Sequence, residues 1–192
     1  LEDGSDPLGT TVEAEMGFYV APRAHIHPEL SEDRLAGAGG FENWTNPTTP
    51  ADWSTLGPVA QETEDYRAGL SALRLSAETP GGEYKDSIGA VAGKTYRMCG
   101  DYKTEGGAVA VFSVSDTGGA GNGVQSDGRT YANASPVVLP DTSGEWRRFT
   151  FDFVARGDHR VGLSVSGSAG IVRFDQVRFC RVWRYVAYEP RI

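Results

Sequence analysis

The sequence has little of what a membrane span or a catalytic centre needs. It contains only two Cys, two Met and three His among 192 residues, and no run approaches 18 consecutive apolar residues. A membrane-spanning helix needs about 20 such residues, so we expect no membrane segment. His159 has no nucleophile motif around it. His25 and His27 could supply two metal ligands from one strand face, but no Cys, Asp or third His stands at ligand spacing nearby, so a polar pair lying over another surface is the favoured alternative. We therefore expect a protein that binds and does not catalyse.

The residues that are abundant favour strands over helices. There are 25 Gly, eight Phe, eight Tyr and four Trp, and 17 Val stand against ten Leu and four Ile. β-Branched and aromatic residues pack well on pleated sheets, and glycine suits tight turns. This composition predicts many short strands joined by glycine-rich turns, and it argues against a helical bundle.

The charge is negative overall but unevenly distributed. The net charge is −8, which argues against a general nucleic-acid binder. Residues 1–35 hold eight acids and two Arg, whereas residues 145–192 hold five acids and nine Arg. Arg suits interfaces because its planar fork pairs with carboxylates. The two ends could attract one another or neighbouring chains, or they could be ordinary solvated surface. The acids Glu62, Glu64 and Asp65 resemble a solvated loop more than a catalytic pair.

Seven segments alternate apolar and polar residues with a period of two. That alternation is typical of strands with one buried face, so the sequence predicts an all-β antiparallel β-sandwich. Residues 116–134 separate two of these segments, and we expect a long glycine-rich loop there. The seven predicted strands are 71–77, 84–91, 94–103, 108–115, 145–155, 159–167 and 171–188.

The alternation changes phase within the last of these segments. Val172 and Phe174 share one parity, and Val177 and Phe179 share the other. A one-residue bulge near Asp175–Gln176 returns both pairs to the core side. That bulge also turns Cys180 away from the core, as the alternation of its own strand does for Cys99.

Residues 1–38 are predicted to be an extended N-terminal arm with a hinge. A strand is expected at Val12–Val20, and Pro22 and Pro28 argue against a regular ladder after it. A single helical turn could form at 28–35, and the AGAGG segment at 36–40 is the expected hinge.

Five segments in order carry a family resemblance: GGFENWTNPTTPADW (39–53), GLSALRL (69–75), VAGKTYRMCGDYK (91–103), GEWRRFTFDF (144–153) and VRFDQVRF (172–179). The set resembles the jelly-roll carbohydrate-binding modules of xylanases and cellulases, which also recur in phage tail and head-surface proteins. The resemblance implies a jelly roll over 39–180 and leaves residues 181–192 as a C-terminal extension.

The resemblance implies sugar binding through exposed aromatic rings. A sugar packs its C–H face on a ring while its hydroxyl groups take hydrogen bonds. Trp53 and Trp146 stand where the family has structural tryptophans, so other rings are the candidates for the glycan site. The alternative for each tyrosine is a buried ring with a satisfied hydroxyl. The candidates are Tyr84, Tyr102, Tyr131 with its neighbour Asn133, and Trp44.

The resemblance also implies a structural Ca²⁺ where the first and last strands of the jelly roll meet. It points to Glu42 and Asp175, with backbone carbonyls supplying further oxygen ligands. The alternative is that both carboxylates only cap turns or pair with Arg.

If the last strand neighbours 94–103, as the resemblance implies, Cys99 and Cys180 could form a disulfide. In the chain-entropy model such a long loop contributes about 4 kcal/mol. An oxidising exterior would suit it. The alternatives are two free thiols, or pairing with another chain.

Beyond Phe179, apolar residues occupy both faces of the predicted last strand. A strand that is apolar on both faces must pack against other residues on both sides. The second side could be covered by the chain's own arm or by a neighbouring subunit. Trp, Tyr and Arg are enriched at interface hot spots. The interface candidates are Phe18, Tyr19, Trp183, Arg184 and Tyr185.

Two functions follow as expectations. The first is a surface-decoration protein of a virion or similar assembly, with arm and tail docked on neighbouring subunits and glycan adhesion as an added role. The second is an exported glycan-binding accessory module of a polysaccharide-active enzyme. Both place the protein on a virion surface or outside the cell.

Overall fold

A computed structural model describes residues 24–117, 122–133 and 136–188; side chains are not described at 24–29, 86 and 184–188. One 3-10 turn lies at Ala38–Gly40. The strands are β1 (Ala24–Asp33), β2 (Trp44–Asn46), β3 (Thr49–Pro50), β4 (Ser54–Leu56), β5 (Ala60–Glu62), β6 (Ala72–Ser76), β7 (Gly82–Ile88), β8 (Thr95–Glu105), β9 (Val109–Asp116), β10 (Gly123–Val124), β11 (Tyr131–Ala132), β12 (Val137–Val138), β13 (Arg147–Val154), β14 (His159–Ser166) and β15 (Ile171–Tyr188).

The strands form two large sheets, which we call the six-stranded and the seven-stranded sheet. The six-stranded sheet has the order β13-β8-β15-β6-β5, with β1 also paired to β15. The seven-stranded sheet has the order β11-β10-β9-β14-β7-β4, with β12 paired to β9. The described registers are antiparallel, for example between β13 and β8 and between β14 and β9. The predicted all-β sandwich is confirmed.

The core lies between the two sheets and is rich in aromatic rings. Phe112 on β9 stacks on Phe149 of β13, with 5.1 Å between ring centroids. Phe153 and Phe179 of the six-stranded sheet lie 5.5 Å apart. These side chains occupy every second position of their strands, so the period-two pattern directly reports the buried face.

The bulge in β15 is confirmed at the predicted place. The register with β8 shifts between Asp175 and Arg178, and Gln176 has φ 51. Val172, Phe174, Val177 and Phe179 are all buried in the core. One additional residue thus keeps the apolar side chains on the same face on both sides of the shift.

The N-terminal boundary differs from the prediction. Residues 24–33 form strand β1 and not a helical turn, because Pro28 is tolerated in a strand with one unpaired edge. The backbone N–H of Arg34 donates to the carbonyl of Phe179 at 2.7 Å. Leu35 is only 1% exposed and belongs to the core. Residues 30–182 form one compact unit, so the sandwich begins before residue 39.

The segment 116–134 is more ordered than a loop where it is described. It contains the paired strands β10 and β11, with Val124 opposite Tyr131. Across the described ranges, no helix is long and apolar enough to cross a membrane.

Candidate functional site

A cleft of about 460 Å³ lies on the seven-stranded sheet. Five strands contribute to it, from β4 at one edge through β7, β14 and β9 to β10. Strands in a sheet lie about 4.8 Å apart, so the cleft extends roughly 19 Å across them. Its lining residues are Leu56, Pro80, Gly81, Gly82, Glu83, Tyr84, Ser113, Ser115, Gly123, Arg160, Gly162, Leu163 and Ser164.

The floor of the cleft is the outward face of this sheet. On β14, Val161, Leu163 and Val165 are buried in the core, so the alternate residues Arg160, Gly162 and Ser164 point outward. The register continues this face onto the neighbouring strands. Gly162 stands opposite Tyr84 on β7 and opposite Ser113 on β9.

The outward face of the sheet in the cleft carries mainly glycine and serine, so its side chains are short. A Cβ at Gly162 would lie 2.6 Å from the Ser113 hydroxyl, and a Cβ at Gly82 would lie 2.7 Å from the carbonyl oxygen of Leu163. The two glycines leave room for the serine hydroxyls to face the cleft. Hydroxyl groups donate and accept hydrogen bonds, which suits a ligand that presents many hydroxyls.

Tyr84 and Arg160 form the aromatic and cationic part of the site. The guanidinium carbon of Arg160 lies 4.7 Å from the centroid of the Tyr84 ring. Tyr84 is half-buried and Arg160 is exposed. This cation–π contact fixes the ring and holds the guanidinium at the cleft. Of the predicted glycan residues, Tyr84 is the one that lines the cleft.

Tyr102 is corrected from a ligand residue to a core residue. Its side chain is 3% exposed, and its hydroxyl donates to the carbonyl of Pro140 at 2.9 Å. Burial also raises the pKa of the Tyr102 phenol. The ring shares the inward parity of Tyr96 and Met98 on β8, so it offers no face to a sugar.

Tyr131 is corrected in the same way. It is 9% exposed, and its hydroxyl donates to the carbonyl of Val154 at 2.9 Å. Arg156 covers the ring, with its guanidinium carbon 4.2 Å from the centroid. Burial raises the pKa of Tyr131 to about 12. This ring is closed to a ligand by its neighbours.

Neither Asn133 nor Trp44 lines the cleft. Asn133 is exposed just after β11. Trp44 packs against the core, and its indole N–H donates to the carbonyl of Phe41 at 2.6 Å. The expectation that Trp53 is structural agrees with its 7% exposure and its hydrogen bond to Ala38.

Glu42 and Asp175 meet at one loop. Asp175 is fully buried, and its Oδ2 accepts the backbone N–H groups of Arg67 at 2.8 Å and Ala68 at 2.9 Å. Glu42 Oε2 accepts the N–H of Leu70 at 2.9 Å. We call this arrangement the carboxylate clamp: Glu42, Asp175 and the loop 67–70.

The clamp offers calcium two carboxylates and little more from side chains. Burial raises the pKa of Asp175 despite its backbone donors. Oxygen ligands of this kind fit Ca²⁺, but the remaining ligands would have to be backbone carbonyls. Within the described ranges, no group of three or more His, Cys, Asp or Glu is arranged to hold a metal ion.

The two cysteines are free thiols, which corrects the predicted disulfide. Cys99 stands opposite Arg178, and Cys180 stands opposite Arg97, so the two are diagonal across the β8–β15 pair. Diagonal positions lie about 7–8 Å apart. Disulfides need Cα atoms closer than about 7 Å. The adjacency of the two strands was predicted correctly, and the register prevents the bridge.

Of the predicted interface residues, Trp183 is the one whose side chain the structure describes. Trp183 is 48% exposed on β15. Phe18 and Tyr19 lie outside the described residues, as do the side chains of Arg184 and Tyr185.

Comparison with known proteins supports the fold. No family model and no curated protein matches the chain. The solved structure of TmCBM61 in complex with β-1,4-galactotriose is similar, with TM-score 0.57 and 20% identity, covering 79% of this chain and 99% of that one. The CBM22-1 xylan-binding domain of Paenibacillus barcinonensis Xyn10C has TM-score 0.53 and 14% identity, covering 84% and 97%.

A third similar structure is the enzymatically active domain of tailspike protein 4 from bacteriophage CBA120. Its TM-score is 0.52 at 13% identity, and the match covers 76% of this chain but 20% of that one. At such identities the likeness concerns fold alone. The chain thus has the jelly-roll fold of carbohydrate-binding modules, as the five sequence segments predicted.

Proposed function

We propose that this protein is a glycan-binding module whose site is the cleft on the seven-stranded sheet. The observation that carries the proposal is the outward row of Tyr84, Gly162 and Ser113, which places a ring beside a low hydroxyl-bearing floor. The length of the cleft suits a chain of several sugars lying across the strands. Its serine hydroxyls and the Arg160 guanidinium supply hydrogen bonds.

Binding without catalysis is supported by the positions of Glu62, Asp65 and the described histidine side chain. Glu62 pairs with Arg173 at 2.9 Å, and Asp65 pairs with Lys103 at 2.8 Å. His159 is fully buried and contacts the carbonyl of Ser115 through Nδ1. These groups are occupied in holding the fold and do not line the cleft.

Affinity electrophoresis through gels containing β-1,4-galactan, xylan or mixed cell-surface glycans tests the proposal. Ser164→Tyr would fill the cleft floor, and Ser166→Tyr is the matched control because Ser166 is exposed on the same strand and face but does not line the cleft. We expect at least one glycan to retard the wild type and Ser166→Tyr but not Ser164→Tyr. Equal retardation of all three proteins would place the site elsewhere.

A second candidate function is attachment to a larger assembly, such as a virion surface or neighbouring subunits. It is favoured by the length of β15, which pairs with β8 as far as Arg181 and continues to Tyr188. On this proposal the sandwich is displayed outward from the cell or particle, and the termini make the attachment. It is compatible with glycan binding, since the cleft lies in the unit of residues 30–182.

Sedimentation of the full chain and of a variant lacking residues 1–23 tests the attachment. That deletion spares β1 and the core residue Leu35. We expect the full chain to self-associate or to bind an assembly that the shortened chain does not. A monomer that is unaffected by the deletion and binds no particle would contradict this candidate.

A further inference from the structure

Glu83 is a buried acid that belongs to the cleft lining, and its side chain lies on the opposite side of β7 from that of Tyr84. Its pairing partners are Leu163 on β14 and Thr55 on β4. Leu163 is 1% exposed in the core, and Glu83 is also 1% exposed. The Glu83 side chain therefore enters the sandwich from behind the cleft.

The Glu83 carboxyl has a single hydrogen bond among the described residues. The Thr55 hydroxyl donates to Oε1 at 2.7 Å, whereas Oε2 is buried without a hydrogen-bond partner. A buried carboxylate without compensating donors or a cation is costly. Burial raises the pKa of Glu83 to about 7, and the Thr55 hydrogen bond lowers it only in part.

Among the described side chains, those that shift the pKa of Glu83 do not include a charged group. Strand β4 has no titratable residue. The inward face of β14 carries His159, whose pKa is lowered by burial, and Arg160 lies on the outward face of β14 over the Tyr84 ring. On β7 itself, the ammonium group of Lys85 donates a hydrogen bond to the carbonyl oxygen of Asp52. The protonation state of Glu83 therefore depends on its burial and on Thr55.

Strand β4 contains Thr55, the hydrogen-bond partner of Glu83. It is three residues long, lies at the edge of the sheet and pairs there with β7. Its last residue, Leu56, is 62% exposed and forms a wall of the cleft. Short edge segments open at low free-energy cost, so one side-chain hydrogen bond is a large share of what fixes this wall.

We propose that Glu83 is a positioning residue of the cleft: its uncharged carboxyl holds β4 against β7 from the core side, and its ionisation releases β4 and the wall at Leu56. Loss of the proton leaves a charge with one donor in an apolar interior. Opening of β4 gives that carboxylate access to water. The cleft is thus complete when Glu83 is protonated and loosened when it is ionised.

Hydrogen–deuterium exchange of the full chain tests this without a ligand. The readout is the protection factor of a peptide covering 54–56, corrected for intrinsic exchange, at about pH 6 and about pH 8, on either side of the pKa near 7. We expect the protection of 54–56 in the wild type to fall by about tenfold from the lower to the higher pH. The protection of β13, an edge strand of the six-stranded sheet, should stay constant. Protection of 54–56 that does not change with pH would overturn the proposal.

Substitutions separate protonation from mere packing. In Glu83→Gln the amide keeps the size of the side chain and cannot ionise, so protection of 54–56 should become independent of pH. Thr55→Ser retains the hydroxyl donor and should behave as wild type, whereas Thr55→Val should lose protection even at the lower pH. An equal pH response in Glu83→Gln and wild type would contradict the proposal. Should Glu83→Gln fail to fold, the Thr55 pair and the wild-type profile still decide it.

The final consequence, weaker ligand binding at higher pH, rests on the proposed glycan function. It is measured with whichever gel glycan retards the wild type, and the retardation should fall between the two pH values in wild type but not in Glu83→Gln. If no glycan binds while the exchange profile is as expected, the proposed function fails and the role of Glu83 stands. If a glycan binds without pH dependence and the protection of 54–56 does not change with pH, the proposed function stands and the role of Glu83 fails.

Discussion

Arg160 lies over the ring of Tyr84, with 4.7 Å between the guanidinium carbon and the ring centroid, and the pair faces a floor of glycine and serine. Tyr84→Ala removes the ring from the cleft and the support under the guanidinium. We expect affinity for the bound glycan to fall by about tenfold or more, which is about 1.4 kcal/mol. Tyr66→Ala is the control, because Tyr66 is 38% exposed and does not line the cleft. Calorimetric titration measures both, and equal losses would contradict the assigned site.

Arg173 anchors a charged cluster on the six-stranded sheet. Its guanidinium contacts Glu62 at 2.9 Å and Glu105 at 2.8 Å, and the residue is 8% exposed. Removing one partner of a buried ion pair costs about 3–5 kcal/mol, so Arg173→Ala should lower the free energy of unfolding by that order. Arg74→Ala is the control, since Arg74 reaches the same Glu62 at 3.9 Å from a 39% exposed side chain. Its cost should stay within about 1 kcal/mol. Urea unfolding that ranks the two variants alike would refute this account of the cluster.

His159 makes the fold sensitive to acid. Burial lowers its pKa below the ordinary 6.5, so the unfolded chain takes up a proton before the folded chain does. The neutral imidazole of His159 makes its full contribution to the free energy of unfolding above pH 6.5. Below pH 6.5 that free energy falls by at most about 1.4 kcal/mol per pH unit. Unfolding free energies of wild type and His159→Gln between neutral and mildly acidic pH measure the difference. A wild-type profile as flat as that of the variant would show that His159 does not contribute.

We propose that the carboxylate clamp holds Ca²⁺ between elements that are distant in sequence. Ca²⁺ that binds only the folded chain raises its melting temperature, so a chelator should lower the melting temperature of the wild type. The Asp175→Asn variant should melt at a lower temperature than the wild type, and its melting temperature should not change with Ca²⁺ or with chelator. Identical melting of the wild type with Ca²⁺ and with chelator would leave Glu42 and Asp175 as caps of the loop 67–70 alone.

The thiols of Cys99 and Cys180 should be detectable without a reductant. Burial raises the pKa of both, that of Cys180 to about 11, so they are protonated at neutral pH and react slowly in the folded protein. A thiol reagent should modify both cysteines after denaturation and few or none before it. If the denatured protein had no reactive thiol, Cys99 and Cys180 would be disulfide-bonded and this account of the cysteines would be wrong.

Much of the fold was predictable because burial on a strand has a period of two. The shift of parity between Phe174 and Val177 predicted the bulge, and the structure places it there. The same alternation already placed Tyr102 with the core residues of β8, so the pattern contradicted its assignment to a sugar site. Arg160, Gly162 and Ser164 also stood opposite the apolar residues of their strand, which was the available signal for the cleft.

The position of the cleft could not be predicted because it depends on which strands are neighbours. Tyr84, Gly162 and Ser113 are far apart in sequence and form one row only in the order β7-β14-β9. The burial of Tyr131 likewise depends on Arg156 and His159. The cysteines show the same dependence, since a register offset by two residues decides between a bridge and two thiols.

Amide chemical-shift mapping during titration with β-1,4-galactotriose and with xylan oligosaccharides tests the central claim most directly. If the cleft is the glycan site, the shifts of at least one titration concentrate on Tyr84, Gly162 and Ser113 and their neighbours in β7, β14 and β9. Shifts confined to the loop 67–70 or to β13, or binding of a glycan that leaves the seven-stranded sheet unperturbed, would contradict it.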